Sequence, residues 1–185
     1  MGEVTEDLVV DRTGCASEGI RREFSPATRA RIEALLRRYP TKGAALLPVL
    51  WIAQDEFGWI SKETIETVAE LLDLPVAFVL GVVTFYTMYH RAPIGRTLLQ
   101  VCTSLSCHLC GSGDLLRVIE KKLGIRPGET TPDGEFTLEA VECIAACDGA
   151  PAMICGEEYV LSVDERKLEE IIESRRGAAS GGTEG

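Results

Sequence analysis

The sequence predicts an α+β chain, with a small helical bundle in its N-terminal half and a mixed sheet with packed helices in its C-terminal half. Four stretches between residues 25 and 85 repeat apolar residues at the helical period. After the turn residues at 90–95, β-like runs alternate with helical ones in the order strand, helix, strand, hairpin, helix. The length of 185 residues allows one medium domain or two small ones.

Composition places the domain boundaries. Residues 1–24 mix charges with glycine and show no sustained period, so they predict a mobile N-terminal arm. The helical bundle is expected at 25–91 and the sheet domain at 92–176. The small polar residues at 177–185 predict a disordered tail.

Each helix of the bundle is predicted from a capping residue and an apolar stripe. Pro48 lies inside the second stretch, where proline kinks a helix or delays its start, and Pro40 and Gly58 end the first two stretches. The predicted helix starts are Ser25-Pro26, Thr41, Ser61 and Leu74-Pro75. Four aromatic residues are expected in the core: Trp51, Phe57, Phe78 and Phe85.

The sheet domain is predicted from shorter signals. Strands are expected at 96–101 and 136–142, and a helix between them at 111–123. A hairpin is expected around 156–158, and the capping-box pattern of Ser162 and Glu165 predicts a last helix.

Charge and the chain start restrict the function. A net charge of -10 disfavours nucleic-acid binding, which needs a basic face. The acidic start lacks the basic and apolar regions of a signal peptide, so we expect a reducing compartment, where seven cysteines are metal ligands or free thiols. The uncharged run at 74–89 is short for a spanning helix of about 20 residues, so membrane association would come through partners.

Four cysteines form two pairs that follow the β-like runs. Cys102 and Cys107 follow the first, and Cys143 and Cys147 follow the second. Four thiolates around two irons are the usual ligands of a [2Fe-2S] cluster. The spacing therefore predicts one cluster held by these two pairs, although ordinary burial of cysteine is the alternative.

Other assignments stay open on spacing alone. Cys102, Cys107, Cys110 and Cys143 fit the plant-type ferredoxin spacing, but Cys147 would then have no purpose and Cys110 directly precedes a predicted helix. Four thiolates also suit a structural zinc site, and Cys107 with Cys110 has the spacing of a redox dithiol. Neither His90 nor His108 is needed as a ligand.

The surroundings of the cysteines favour an electron carrier. Ala145 and Ala146 leave room near Cys147, and backbone amides there can donate to sulfur. The sequence has no glycine-rich nucleotide fingerprint and no P-loop. A redox centre without a substrate site indicates a chain that serves another subunit.

At these residues the sequence closely resembles the [2Fe-2S] subunit family of respiratory NADH:quinone oxidoreductase, complex I. The resemblance covers about residues 25–174. It is carried by LLPVLWIAQDEFGWIS at 46–61, VVTFYTMYHRAPIGR at 82–96, VCTSLSCHLCGS at 101–112, and LGIRPGETTPDGEFTLEAVECIAACDGAP at 123–151.

The resemblance implies a thioredoxin-like ferredoxin domain after the helical bundle. It implies that Cys102, Cys107, Cys143 and Cys147 hold one [2Fe-2S] cluster, which exchanges an electron with the FMN of a partner flavoprotein subunit. NADH and FMN would belong to that iron-sulfur flavoprotein. Other subunits of the peripheral arm would be further partners of the chain. The implied location is cytoplasmic, peripheral to the inner membrane through the complex, with no direct membrane insertion.

The sequence departs from the commonest family pattern at two positions. Glycine is frequent where Ala146 stands, and a residue other than cysteine is usual where Cys110 stands. The same module also occurs in NAD-linked hydrogenases and formate dehydrogenases, so either assembly is an alternative to complex I.

Overall fold

The computed structural model describes residues 22–180, with side chains described as far as residue 176. The chain divides into two compact units, and the boundary lies between Pro93 and Ile94.

The first unit is helical. Its helices are α1 (Pro26–Leu36), α2 (Leu46–Phe57), α3 (Lys62–Leu72) and α4 (Val76–Phe85), and a short 3-10 turn at Gly43–Ala45 precedes α2. The caps predicted at Ser25 and Ser61 are confirmed. Their hydroxyl oxygens accept hydrogen bonds from the backbone N–H groups of Thr28 and Thr64 and so satisfy donors that a helix start leaves free.

Proline delays the start of α2, as predicted. Pro48 lies in the first turn of the helix, where its missing N–H costs no intrahelical bond. The hydroxyl of Thr41 accepts a hydrogen bond from Ala44 N–H, so it caps the 3-10 turn and not α2 itself. Helix α1 ends at Leu36, earlier than the predicted stop at Pro40.

The predicted aromatic core of this unit is largely wrong. Trp51, Phe78 and Phe85 are 43%, 53% and 77% exposed, and Phe57 is half-buried. Helix α4 carries no charged residue and is apolar on all sides, so its periodicity cannot show which face packs. Val79 and Val83 pack inward and Val82 is partly buried against the same core, while four other large side chains of α4 are exposed: Val76, Phe78, Leu80 and Phe85.

The second unit is a four-stranded sheet with helices. Its strands are β1 (Thr97–Cys102), β2 (Phe136–Val141), β3 (Met153–Cys155) and β4 (Glu158–Val160), in the spatial order β2-β1-β3-β4. Its helices are α5 (Leu105–Leu109), α6 (Ser112–Leu123) and α7 (Glu165–Ser180). Apolar residues of α6 and α7 pack with the sheet in one core, including Ile119, Leu138 and Leu168.

Mixed pairing positions the loops that carry the cysteines. Strands β1 and β2 are parallel, with Cys102 opposite Val141. Strand β3 runs antiparallel to β1 and forms the predicted hairpin with β4. The fold prediction of a helical part followed by a mixed sheet with helices is therefore confirmed.

Three local predictions differ from the structure. Helix α5 was not predicted, because five residues are too few to show a helical period. Helix α7 is capped by Asp164, whose carboxylate accepts from Lys167 N–H, whereas Ser162 has a left-handed φ of 49° and caps nothing there. Helix α7 also runs to Ser180, past the predicted start of the tail at residue 177.

The predicted N-terminal arm is described only at its end. Phe24 is buried and its ring lies 5.0 Å from that of Phe57, while Arg22 donates to the Phe57 carbonyl. The packed structure therefore begins before residue 25. The rest of the arm, at 1–21, and residues 181–185 lie outside the described residues. Within 22–180, no helix is long and apolar enough to span a membrane.

Candidate metal centre

The two cysteine pairs meet because β1 and β2 are parallel. Cys102 is the last residue of β1, and Cys143 follows the end of β2 at Val141. The carboxyl ends of parallel strands lie at the same edge of a sheet, where the loops that follow them converge. The loop that leads into β3 reaches the same edge, since Cys102 N–H donates to the Ala152 carbonyl at 3.2 Å.

The first pair belongs to regular structure. Cys102 ends a strand and Cys107 lies in α5, and their side chains are 1% and 2% exposed. The two thiols are within hydrogen-bond contact of each other. Strand, short helix and packing therefore hold this pair in place.

The second pair lies on an irregular loop and is exposed. The sulfur atoms of Cys143 and Cys147 are 3.8 Å apart, and Ala145 N–H donates to the Cys143 sulfur at 3.4 Å. Two sulfurs that each lie about 2.3 Å from one tetrahedral metal are about 3.8 Å apart. The spacing of this pair is therefore the spacing that one metal ion requires.

The loop contains one residue in a conformation that favours glycine. Ala145 has a φ of 61°, whereas the departure from the family pattern was expected at Ala146, whose φ is -115°. A side chain with a Cβ is strained in the left-handed region. The position where glycine would relieve strain is therefore Ala145, and only the backbone angles reveal it.

Local contacts give the thiols different pKa values. Burial acts most strongly on Cys102, but backbone hydrogen bonds from Ile144 and Ser104 outweigh it and leave its pKa lowered. Burial raises the pKa of Cys107, and the adjacent Cys143 thiol raises that of Cys147. Since metals bind thiolates, the amides around Cys102 favour the form of that side chain that binds metal.

Small residues surround the sulfur atoms. Ala146 and Ala152 are buried against Cys102 and Cys107, with Ile144 and Ala150 packed beside them. The Ser106 hydroxyl, from the first loop, is within hydrogen-bond contact of Cys147, on the second. Sequence reasoning predicted that backbone amides of this second loop donate to sulfur, but it did not identify the Ser106 hydroxyl or the amide of Ala152, because both come from other segments and only folding brings them to the thiols.

The two other cysteines of the described residues, Cys110 and Cys155, take no part in the thiol contacts described above. Cys110 follows the end of α5 and is exposed, as is His108. Cys155 is 1% exposed within the sheet core, where burial raises its pKa. Cys15 lies outside the described residues. Among residues 22–180, no three Cys, His, Asp or Glu side chains are close enough together to hold a single metal ion.

The model of one protein family matches residues 32–176 of the chain, and that family is described as "Thioredoxin-like [2Fe-2S] ferredoxin". The chain belongs to this family. The membership agrees with the mixed sheet and with the gathering of cysteines at one of its edges. The donor set fits the cluster in the family's name, because it offers thiols in two pairs and, in the second, a sulfur spacing suited to one metal ion.

Relatives of this ferredoxin-family chain are named as subunits of NADH-quinone oxidoreductase. It is 47% identical over 150 residues to an NADH-quinone oxidoreductase subunit of Rhizobium meliloti (strain 1021), and the match covers 81% of this chain and 89% of the relative. It is 36% identical over 150 residues to an NADH-quinone oxidoreductase subunit of Aquifex aeolicus (strain VF5), and that match covers 81% of this chain and 94% of the relative.

A solved structure shares the fold of this family member. The chain resembles a chain of an NAD+-reducing [NiFe]-hydrogenase in the air-oxidized state, with a TM-score of 0.63 and 19% sequence identity. The match covers 72% of this chain but only 23% of the hydrogenase chain. At this identity the likeness is one of fold alone.

Proposed function

We propose that the chain is the electron-transfer subunit of an NADH:quinone oxidoreductase, and that it holds one [2Fe-2S] cluster through Cys102, Cys107, Cys143 and Cys147. The observation that carries the proposal is the parallel pairing of β1 and β2, which brings both pairs to one edge of the sheet. When bound, the cluster would accept and donate one electron at a time.

The contacts within each pair support ligation by pairs. Cys102 contacts Cys107, and Cys143 contacts Cys147 at a sulfur separation of 3.8 Å. A single zinc would need all four sulfurs about 3.8 Å from one another, and no such group is found in the described part of the chain. A binuclear cluster is therefore favoured over a structural zinc site.

Exposure of the second pair supports electron exchange with a partner. Cys143 and Cys147 lie at the surface, whereas Cys102 and Cys107 are buried. We expect electrons to enter and leave on the side of the exposed pair, in exchange with the FMN of an NADH-oxidising flavoprotein subunit. Two open surface grooves of residues 22–180 have no cysteine in their lining, and we assign NADH and FMN to the partner.

Helix α4 is the surface that we assign to docking of that flavoprotein. Five large apolar side chains on or next to this uncharged helix are exposed: Val76, Phe78, Leu80, Phe85 and Tyr86. Contiguous exposed apolar residues mark interaction sites, and the named relatives are subunits. The complex would hold the chain at the cytoplasmic side of the inner membrane, without insertion of its own.

Cluster binding is tested by ligand variants of the full chain. The loaded protein should contain two irons and two sulfides per chain. We expect Cys147→Ser to destroy or strongly alter the EPR signal of the reduced cluster, because it removes a ligand. Cys110→Ser is the matched control and should leave the signal nearly unchanged. Loss of signal in the control alone would favour the plant-type ligand set, and one zinc per chain would refute the cluster.

Docking is tested by the variant Phe78→Ser/Phe85→Ser. We expect weaker binding of the flavoprotein subunit with unchanged iron content, measured by co-purification and iron analysis. Tyr159→Ser is the control, since Tyr159 is an exposed aromatic residue of β4, in the second unit. Equal binding by the α4 variant and the control would contradict this docking role. A hydrogenase large subunit among the co-purifying proteins would replace the respiratory assembly with the hydrogenase alternative.

A further inference from the structure

A groove between α1 and α2 combines an apolar floor with a basic rim. It has a volume of about 420 Å³, and its lining includes Leu35, Pro48, Trp51 and Ile52. Arg31 and Arg38 also line it. The exposed indole of Trp51, which the sequence predicted to be buried, is part of this surface.

The basic character of this rim is local. The chain has a net charge of -10, yet residues 29–42 contain five basic residues and a single acidic one, Glu33. The side chain of Arg31 is 63% exposed and lies 3.7 Å from the exposed carboxylate of Asp55. Exposed pairs of this kind contribute little energy, about 0–1 kcal/mol, so the rim can take up another carboxylate.

One segment of the chain has the complementary chemistry. Residues 6–11, EDLVVD, place Leu8, Val9 and Val10 between three carboxylates. The segment can therefore offer apolar side chains to the floor of the groove and acidic ones to its rim. Residues 1–21 as a whole contain five acidic and two basic residues.

The connection is long enough for the segment to reach the groove. Arg22 donates to the Phe57 carbonyl at the C-terminal end of α2, and the groove extends back along α2 as far as Pro48. Nine helical residues span about 14 Å. The eleven residues from 11 to 22 can span up to about 36 Å, so the segment can turn back along α2 without strain.

We propose that residues 6–11 dock in the groove between α1 and α2, with their apolar side chains against Trp51 and their carboxylates at Arg31 and Arg38. The occupant is this chain's own N-terminal segment, and the attachment is intramolecular. Because the segment is covalently attached to the unit that carries the groove, its local concentration at the groove is high, and weak individual contacts suffice.

Fluorescence of Trp51 tests the proposal in the full, cluster-loaded chain. Trp59→Phe leaves Trp51 as the sole tryptophan, and acrylamide quenching then reports its exposure. A docked segment covers most of the exposed indole, so Glu6→Gln/Asp7→Asn/Asp11→Asn should raise the quenching constant about twofold. Glu3→Gln/Glu18→Gln is the control in the same arm and should change nothing. Equal quenching in both variants overturns the proposal.

Charge reversal distinguishes docking from an unrelated change of structure. Arg31→Glu/Arg38→Glu should raise Trp51 quenching as much as neutralising residues 6–11 does. Adding Glu6→Lys/Asp7→Lys/Asp11→Lys to that variant should restore the low quenching, because the segment is then basic and the rim of the groove acidic, so that the two attract each other again. Failure of the combined variant to recover overturns the assignment of these arginines.

Cross-linking identifies the occupant directly. A photoreactive benzoyl-phenylalanine in place of Val9, irradiated at low protein concentration, should cross-link within the chain to residues 31–38 or 48–52. Cross-links to a second copy or to a co-purifying subunit would assign the groove to that partner and overturn the proposal. Cross-links spread over the whole surface would overturn it equally.

Discussion

The buried cysteine pair and the exposed pair are held by different means. Cys102 and Cys107 lie on a strand end and a short helix and are 1% and 2% exposed. Cys143 and Cys147 lie on a loop in which Ala145 adopts a left-handed φ of 61° and Gly149 packs against Leu161. The first pair is positioned by the fold of the sheet domain, and the second depends on local backbone geometry.

This difference separates stability from cluster binding. Changes at the buried pair should alter both the packing of the second unit and two of the proposed ligands, whereas changes at the exposed pair should affect proposed ligands alone. Both tryptophans, Trp51 and Trp59, belong to the first unit. Unfolding of the second unit is therefore followed by far-UV circular dichroism and not by tryptophan fluorescence.

The largest expected effect comes from serine at each pair. Cys107→Ser should remove or strongly alter the cluster and also lower the free energy of unfolding of the cluster-free chain by about 1–3 kcal/mol, because it buries a hydroxyl group. Cys143→Ser should alter the cluster equally but change the free energy by less than about 0.5 kcal/mol, as exposed sites do. Urea titration of both cluster-free variants measures the contrast, and equal losses would show that burial does not separate the pairs.

Gly149 tests how the exposed loop is anchored. A Cβ at this position would lie 2.6 Å from Leu161 Cβ. The carbonyl of Gly149 also accepts a hydrogen bond from Ser162 N–H, which ties the loop to the segment after β4. Gly149→Ala should lower the free energy of unfolding by about 1–3 kcal/mol through overpacking and reduce the iron retained per chain.

The matched control for this contact is Gly113→Ala in α6. No atom lies within 4 Å of a Cβ there, and alanine favours a helix, so stability should be equal or slightly higher. Iron content and urea titration measure both variants. A similar loss in the two would assign the effect to glycine replacement in general.

The smallest effect is expected at the two alanines of the loop, with opposite signs. Ala145→Gly removes left-handed strain of about 1–2 kcal/mol but adds about 0.5–1 kcal/mol of chain entropy cost, so a slight gain in stability is expected. Ala146 has a φ of -115°, so Ala146→Gly relieves nothing and should lose about 0.5–1 kcal/mol. Urea midpoints of the two variants give the signs, and a loss at Ala145 would refute the strain.

Much of the fold could be predicted from local signals. Capping at Ser25 and Ser61, the delayed start at Pro48 and the hairpin after β3 each depend on a few adjacent residues. Such signals act over one turn of chain, so sequence reasoning can identify them. The same holds for the two cysteine pairs, whose positions at the strand ends followed from the β-like runs before them.

Other features required the folded chain. The outward direction of Phe78 and Phe85 depends on which side of an apolar helix meets the core, and the five residues of α5 show no period. The cap at Asp164 could not be separated from the capping-box pattern at Ser162, since both place an oxygen before the same helix.

The sequence by itself determined which residue types are available and roughly where they stand along the chain, namely two thiol pairs after two strands in a family of [2Fe-2S] ferredoxins. Only the tertiary structure decided that β1 and β2 are parallel neighbours, that one pair is buried and the other exposed, and that Ala145 and not Ala146 is strained. The physical reason is the distance along the chain between the residues that interact. Caps and turns act between adjacent residues, whereas burial and strand pairing depend on contacts between residues about forty positions apart, such as Cys102 and Val141.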